Sequence, residues 1–235
     1  MSNRTFDNFD EFAKDYRSVH TGNVKLSGAD SFYFAEMKVK LLLGSEQDKH
    51  LAVLDMGCGD GVTESYFQQY FPSWQLTGID VSQKSIEEAQ AKNIPSARFQ
   101  HYDGRHIPAA DAGFDIVFIA GVLHHVDFSL HAGLMKEMYR VLKPGGRLYL
   151  FEHNPLNPVT RHLVNTCVFD NDAKLLWPLY AKKLFRLAGF KNINQRFIIF
   201  FPRKGMLARF IFLEKYLTWL PLGGQYFIRA EKKGL

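Results

Sequence analysis

The chain has 235 residues, 46 % of them hydrophobic and 23 % charged, which suits one α/β domain with a sizeable core and excludes a disordered chain. The net charge of +5 comes without any long Lys/Arg tract, so no nucleic-acid partner is expected, and two cysteines are too few for a disulfide framework. No apolar leader opens the chain and no run approaches the ~20 residues of a spanning helix, so the expectation is a soluble, cytoplasmic protein.

Residues 1–50 read as polar and helical, broken at 20–23 and 27–30. Ser31 to Leu43 set Phe32, Ala35, Val39 and Leu42 or Leu43 on one helical face. A rhythm of strands and helices follows. Strand 51–57 precedes helix 62–71, closed by Pro72. Strand 75–81 precedes helix 82–93, capped by Ser82. Strands 97–104 and 114–122 come next, then helix 129–143, stopped at Pro144, and strand 147–153. The tail predicts a broken helix over 173–190, a strand at 197–201, a helix over 206–220 and a last strand at 224–232. This alternation predicts an α/β fold, a doubly wound, Rossmann-like parallel sheet with helices on both faces.

Within "VLDMGCGDGVTE" (53–64), Asp55 is followed by glycines at 57, 59 and 61, where the first strand hands over to a helix. In such sheets ligands sit beyond the carboxyl ends of the strands, and a helix N-terminus favours an anionic group near 59–63. A dinucleotide loop spaces its glycines G-x-G-x-x-G. Here Val62 stands at the third place, which weakens a nicotinamide reading. Asp80 closes the second strand, where a carboxylate accepts from ribose hydroxyls of any adenosine-bearing ligand.

The ordered series "VLDMGCGDG", "GIDVS", "FQHYDG", "FDIVFIAGVLHHV" and "LKPGGRLYL" resembles the successive motifs of class I S-adenosylmethionine-dependent methyltransferases, over about residues 50–152. The resemblance implies a seven-stranded sheet with the last strand antiparallel. It implies S-adenosyl-L-methionine as cofactor and S-adenosyl-L-homocysteine as product. It implies that Asp55, Gly57, Cys58 and Gly59 line the methionine part, with Gly61 needed for close packing. Asp80 would hold the ribose and Val81 pack on the adenine. Asp103 would accept from the adenine amino group beside Gly104, and Ala120 and Gly121 would pass under the sulfonium side. It also divides the chain into an N-terminal helical cap over the site, residues 1–50, and a methyltransferase domain, 51–235, with a substrate-side insertion at 154–175.

Methyl transfer to oxygen calls for a base, and three histidines qualify: His124 and His125 after the fourth strand, and His153 after the fifth. Glu152 and Asn154 flank His153, with Pro155 and Pro158 forcing an exposed turn. No Cys-x-x-Cys or His/Glu cluster indicates a metal. Aromatic residues in the first 34 positions suit a small organic, sugar or lipid-like acceptor, to which Lys38 and Arg161 are candidate contacts for an anionic group. Residues 204–220 mix apolar with basic side chains, as a peripheral membrane contact would require. The leading expectation is thus an O-methyltransferase. The alternatives are an NAD-dependent oxidoreductase and a catalytically silent cofactor-binding protein. No oligomeric state follows from the sequence.

Overall fold

Short runs rich in Val, Ile, Leu and Phe form seven strands that pair into one sheet: β1 (Ala52–Met56), β2 (Gln75–Asp80), β3 (Ala97–His101), β4 (Phe114–Ala120), β5 (Leu142–His153), β6 (Lys191–Ile198) and β7 (Gln225–Glu231). The computed structural model describes residues 31–46, 50–167 and 173–234; the helices expected before residue 31 lie outside them. The strand order is β3-β2-β1-β4-β5-β7-β6. β7 runs antiparallel to both β5 and β6, and the other pairs are parallel. The order reverses between β1 and β4, which makes the end of β1 the switch point.

Alternation along the strands builds two cores. Leu54, Met56, Val117, Ile119, Leu148 and Leu150 face one side. There they meet helices α4 (Phe128–Val141) and α6 (Pro178–Leu187) through Leu134, Met138, Leu184 and Phe185. Val53, Ile116, Phe118, Tyr149 and Phe151 face the other. That side is covered by α1 (Ser31–Leu43) and α2 (Val62–Tyr70), through Val39, Leu42 and Phe67. The third helix, α3 (Gln83–Ala91), starts at Ser82, whose hydroxyl accepts from the Ser85 N–H at 3.1 Å.

Several expectations are corrected. Phe32 is exposed; α1 buries Ser31, Phe34, Val39 and Leu42 instead. Strand β5 begins at Leu142, not 147, because the chain enters the sheet directly from α4, with Gly145 at φ +77. Strand β6 covers Lys191–Ile198 rather than 197–201. It is an edge strand, so a polar run is tolerated there. The apolar run beyond it leaves the sheet because the Glu214 carboxylate takes the N–H groups of Phe200 and Phe201. Residues 206–220 form a 3-10 segment (Met206–Leu213) and one α turn, α7 (Glu214–Leu217), rather than a long helix.

The turn after β5 is exposed at Leu156 and Pro158, as expected, but Asn154 is withdrawn from it. Asn154 is fully buried: its amide donates to the carbonyls of Pro221 (3.1 Å) and Gly223 (2.7 Å), and its Oδ1 accepts from the Leu156 N–H. Helix α5 (Pro158–Thr166) follows, with Pro158 in the first turn, where its missing N–H costs nothing. Asn154→Ala strands the buried carbonyl of Gly223, so it is expected to cost about 1–3 kcal/mol, a fall in Tm of roughly 2–12 °C by thermal unfolding.

Candidate functional site

The loop between β1 and α2 carries three left-handed glycines: Gly57 at φ +81, Gly59 at +54 and Gly61 at +77. They serve different ends. A Cβ on Gly57 would stand 2.3 Å from the Val122 side chain, and one on Gly61 would meet Ala89 and Phe99 at 3.0 Å. These two positions are bare so that neighbouring elements of the protein can close in. A Cβ on Gly59 would meet nothing within 4 Å. Gly59 is therefore the position where backbone lies open to a ligand.

Asp80 ends β2 and props this loop. Its Oδ2 accepts from the Gly59 N–H and its Oδ1 from the Ser82 N–H, each at 2.9 Å. Burial pushes its carboxyl up, while those N–H donors pull it back. Each oxygen keeps lone-pair capacity for a hydroxyl donor. Val81 packs against the core, and its carbonyl lies 3.1 Å from His101 Nε2. Asp103 is exposed and is held below the usual carboxylate range by the N–H groups of His106 and Arg105, both at 2.8 Å on Oδ1. The adjacent Gly104 turns at φ +75. Ala120 ends β4, and Gly121 follows at φ +71, its N–H on the Phe151 carbonyl. Cys58 is buried, and burial together with Glu64, Asp80 and Asp55 pushes its thiol well up, so it is no nucleophile.

Beneath the loop lies an acid pair. Asp55 and Glu64 are both buried. Burial, with the charge of Asp80, pushes Asp55 up to about 7, against the charge of Lys38. Glu64 is pushed well above its usual range, by burial first and the Asp55 charge second. Neither carboxyl oxygen of Glu64 has a hydrogen-bond partner among the described residues, so water is kept from both acids with little to replace it. Lys38 reaches in from α1; burial pulls its ammonium down to about 8, while Glu152 and Asp55 oppose that fall. Glu64 was not anticipated from sequence, because an acid in the first turn of a helix reads as a partner for the helix dipole.

The ends of β4 and β5 bring the three histidines together. His124 sits in a short 3-10 turn, buried, its Nδ1 2.6 Å from Glu152 Oε2. Glu152 Oε1 accepts from the Leu123 N–H at 3.0 Å. Burial raises the Glu152 carboxyl, and the nearby charges of His153, His125 and Lys38 lower it. The ring of His124 lies 4.2 Å from that of His125 and 5.1 Å from that of His153, centroid to centroid. His125 and His153 are half-buried. Among the described residues, no three His, Cys, Asp or Glu side chains form a metal-sized group. An open groove of about 960 Å³ lies elsewhere, where strands begin, lined by Ala52, Gln75, Ala97 and Phe114, and holds none of these groups.

A switch-point loop with one open glycine, a carboxylate closing the next strand and a titratable cluster across the cleft define a nucleotide-binding α/β enzyme. Residues 53–146 match the family model described as a methyltransferase domain. The chain is 32 % identical over 190 residues to a demethylmenaquinone methyltransferase of Lactobacillus johnsonii, covering 77 % of this chain and 75 % of that one. It is 34 % identical over 104 residues to a ubiquinone/menaquinone biosynthesis C-methyltransferase of Desulfotalea psychrophila, covering 44 % and 45 %. A crystal structure of a SAM-dependent methyltransferase from Thermotoga maritima, a possible histamine N-methyltransferase, superposes with a TM-score of 0.70 at 18 % identity, covering 98 % of this chain and all of that one. The chain belongs to the class I S-adenosylmethionine-dependent methyltransferases. Nothing in these likenesses supports a nicotinamide enzyme or a silent binding protein. The residues suit the cofactor: Gly59 leaves room, Asp80 offers acceptors, and the acids below favour a cation.

The acid pair has a measurable consequence. Asp55 and Glu64 bind protons more tightly folded than unfolded, so stability falls as pH rises from the ordinary carboxylate range through about 7. Glu64→Gln is expected to flatten that slope and to raise stability near pH 8 by about 1–2 kcal/mol, or roughly 2–8 °C in Tm. Thermal unfolding across pH tests it; an unchanged slope would show that burial does not raise Glu64.

Proposed function

We propose that the enzyme methylates a ring carbon of a small, hydroxylated aromatic acceptor of the hydroquinone type. The observation that carries this reading is the imidazole cluster over a buried carboxylate: His125 and His153 beside His124, which bonds Glu152 at 2.6 Å. When bound, S-adenosylmethionine supplies a methyl already activated on a sulfonium. The chain's task is to exclude water, align the acceptor and take one proton. Loss of the hydroxyl proton to His153, with His125 beside it, makes the ring electron-rich at carbon; the carbon that gains the methyl must then release its own proton to restore aromaticity, while the imidazolium returns the first proton to oxygen. Glu152, buried beneath them and bonded to His124, would stabilise the imidazolium that results. Gly57, Cys58, Gly59 and Asp55 would hold the methionine part, Asp80 the ribose, Val81, Asp103 and Gly104 the base, with Ala120 and Gly121 under the sulfonium.

Oxygen, the acceptor atom expected from the residues alone, would use the same imidazole. Carbon is preferred because similar chains are named demethylmenaquinone and menaquinone C-methyltransferases. Supplying a reduced demethylated quinone and labelled cofactor tests this: NMR of the product is expected to show a methyl on ring carbon. An O-methyl signal, or no turnover across quinols, would overturn it.

His153→Ala is expected to lower kcat by about 10²-fold with little change in KM, as loss of a base does. Steady-state kinetics across pH checks this, and an unaltered kcat would acquit the residue. Asp80→Ala is expected to weaken S-adenosylhomocysteine binding by about tenfold or more, by calorimetry, as it removes the acceptor for the ribose hydroxyls. Unchanged affinity would remove Asp80 from the cofactor site.

A further inference from the structure

The connection between β6 and β7, residues 199–224, carries more exposed apolar surface than its packing requires. None of the residues of its 3-10 segment and α7 is buried. Met206 is 72 % exposed, Phe212 64 %, Tyr216 64 % and Trp219 73 %. Side chains of this size are buried in most solvated surfaces, and Trp and Tyr prefer the boundary between water and lipid.

Charge says what kind of surface would meet them. Lys204, Arg209 and Lys215 are exposed among these apolar groups. The one acid of the connection, Glu214, is turned inward: it accepts from Phe200, Phe201 and Arg203. The face shown to solvent is therefore apolar and positive, the chemistry of an interfacial helix on an anionic bilayer.

Its place in the fold relates it to the site. Gln225, the first residue of β7, pairs with His153 on one side and Ile198 on the other. The connection therefore springs from the same end of the sheet as the imidazole cluster. Asn154 and Asn157 fix its last residues through the carbonyls of Pro221, Leu222 and Gly223. Leu156 and Val159, exposed at the start of α5, continue the apolar surface beside Leu222. Arg203 stacks over Tyr33 of α1 at 5.0 Å, which ties the patch to the helix that carries Lys38.

We propose that residues 204–222 dock the enzyme on an anionic membrane surface, with the imidazole end of the sheet toward the lipid. The docking stands apart from the acceptor reading. Only its use, presenting the site to an acceptor with a lipid tail, rests on that reading. The test therefore needs no acceptor. Purified protein is floated with vesicles of phosphatidylcholine alone and of phosphatidylcholine mixed with phosphatidylglycerol. The native protein is expected to float with the anionic vesicles only, less so as salt rises. Phe212→Ser with Trp219→Ser is expected to abolish flotation, and glutamine at Lys204, Arg209 or Lys215 to weaken it about fivefold each. Affinity for S-adenosylhomocysteine should be unchanged in all of them, which certifies the fold. Brominated lipid is expected to quench the native fluorescence, and Trp219→Phe to remove that quenching. Three results would overturn the proposal: no flotation, flotation untouched by the double variant, or a dimer in solution that the double variant disperses, which would assign the patch to a second copy.

Discussion

The hydrogen bond from the Gly59 N–H to the Asp80 carboxylate, 2.9 Å long, joins the two strand ends on which the site depends. It holds the glycine loop across β1 and β2 while leaving Gly59 bare toward the cleft. The flanking glycines let Val122 press on one end and α3 on the other, so the loop is gripped at both ends and open in its middle. Holding the loop in this way lowers the ordering entropy that would oppose binding there.

Charge is handled by burial and pairing rather than by solvent. Asp55, Glu64, Lys38, Glu152 and His124 converge under the ends of β1, β4 and β5; Glu152 and His124 offset each other through a 2.6 Å contact, whereas Glu64 is buried with no hydrogen-bond partner among the described residues. The basic, apolar rim beyond β6 supplies the opposite sign at the outside of the same end. Charge of one sign below and the other at the rim orders how reactants would approach.

The strand–helix alternation, the parallel central sheet and the placement of the glycine loop were legible in the chain, because local periodicity and turn chemistry decide them; the antiparallel last strand was expected only from the family resemblance. Asp80 and the three histidines could be singled out for the same reason: each closes or follows a strand whose direction is known. The burial of Asn154 was not legible, since its partners Pro221 and Gly223 lie far along the chain. Nor was the end of β6, where Glu214 diverts the backbone of an apolar run out of the sheet.

By itself, then, the order of residues determined most of the strands and helices up to β5, where the switch point falls and which small or acidic side chains gather there, whereas the extent of β6 and the form of 206–220 were decided by tertiary contacts. Only the tertiary structure decided how those side chains behave. That Gly59 is open while Gly57 and Gly61 are packed depends on Val122, Ala89 and Phe99. That Asp55 and Glu64 are both pushed up depends on water being excluded from both. Which imidazole keeps contact with solvent depends on Glu152 arriving beside His124 from another strand. Such properties are set by distances between residues remote in sequence, and local patterns hold no record of them.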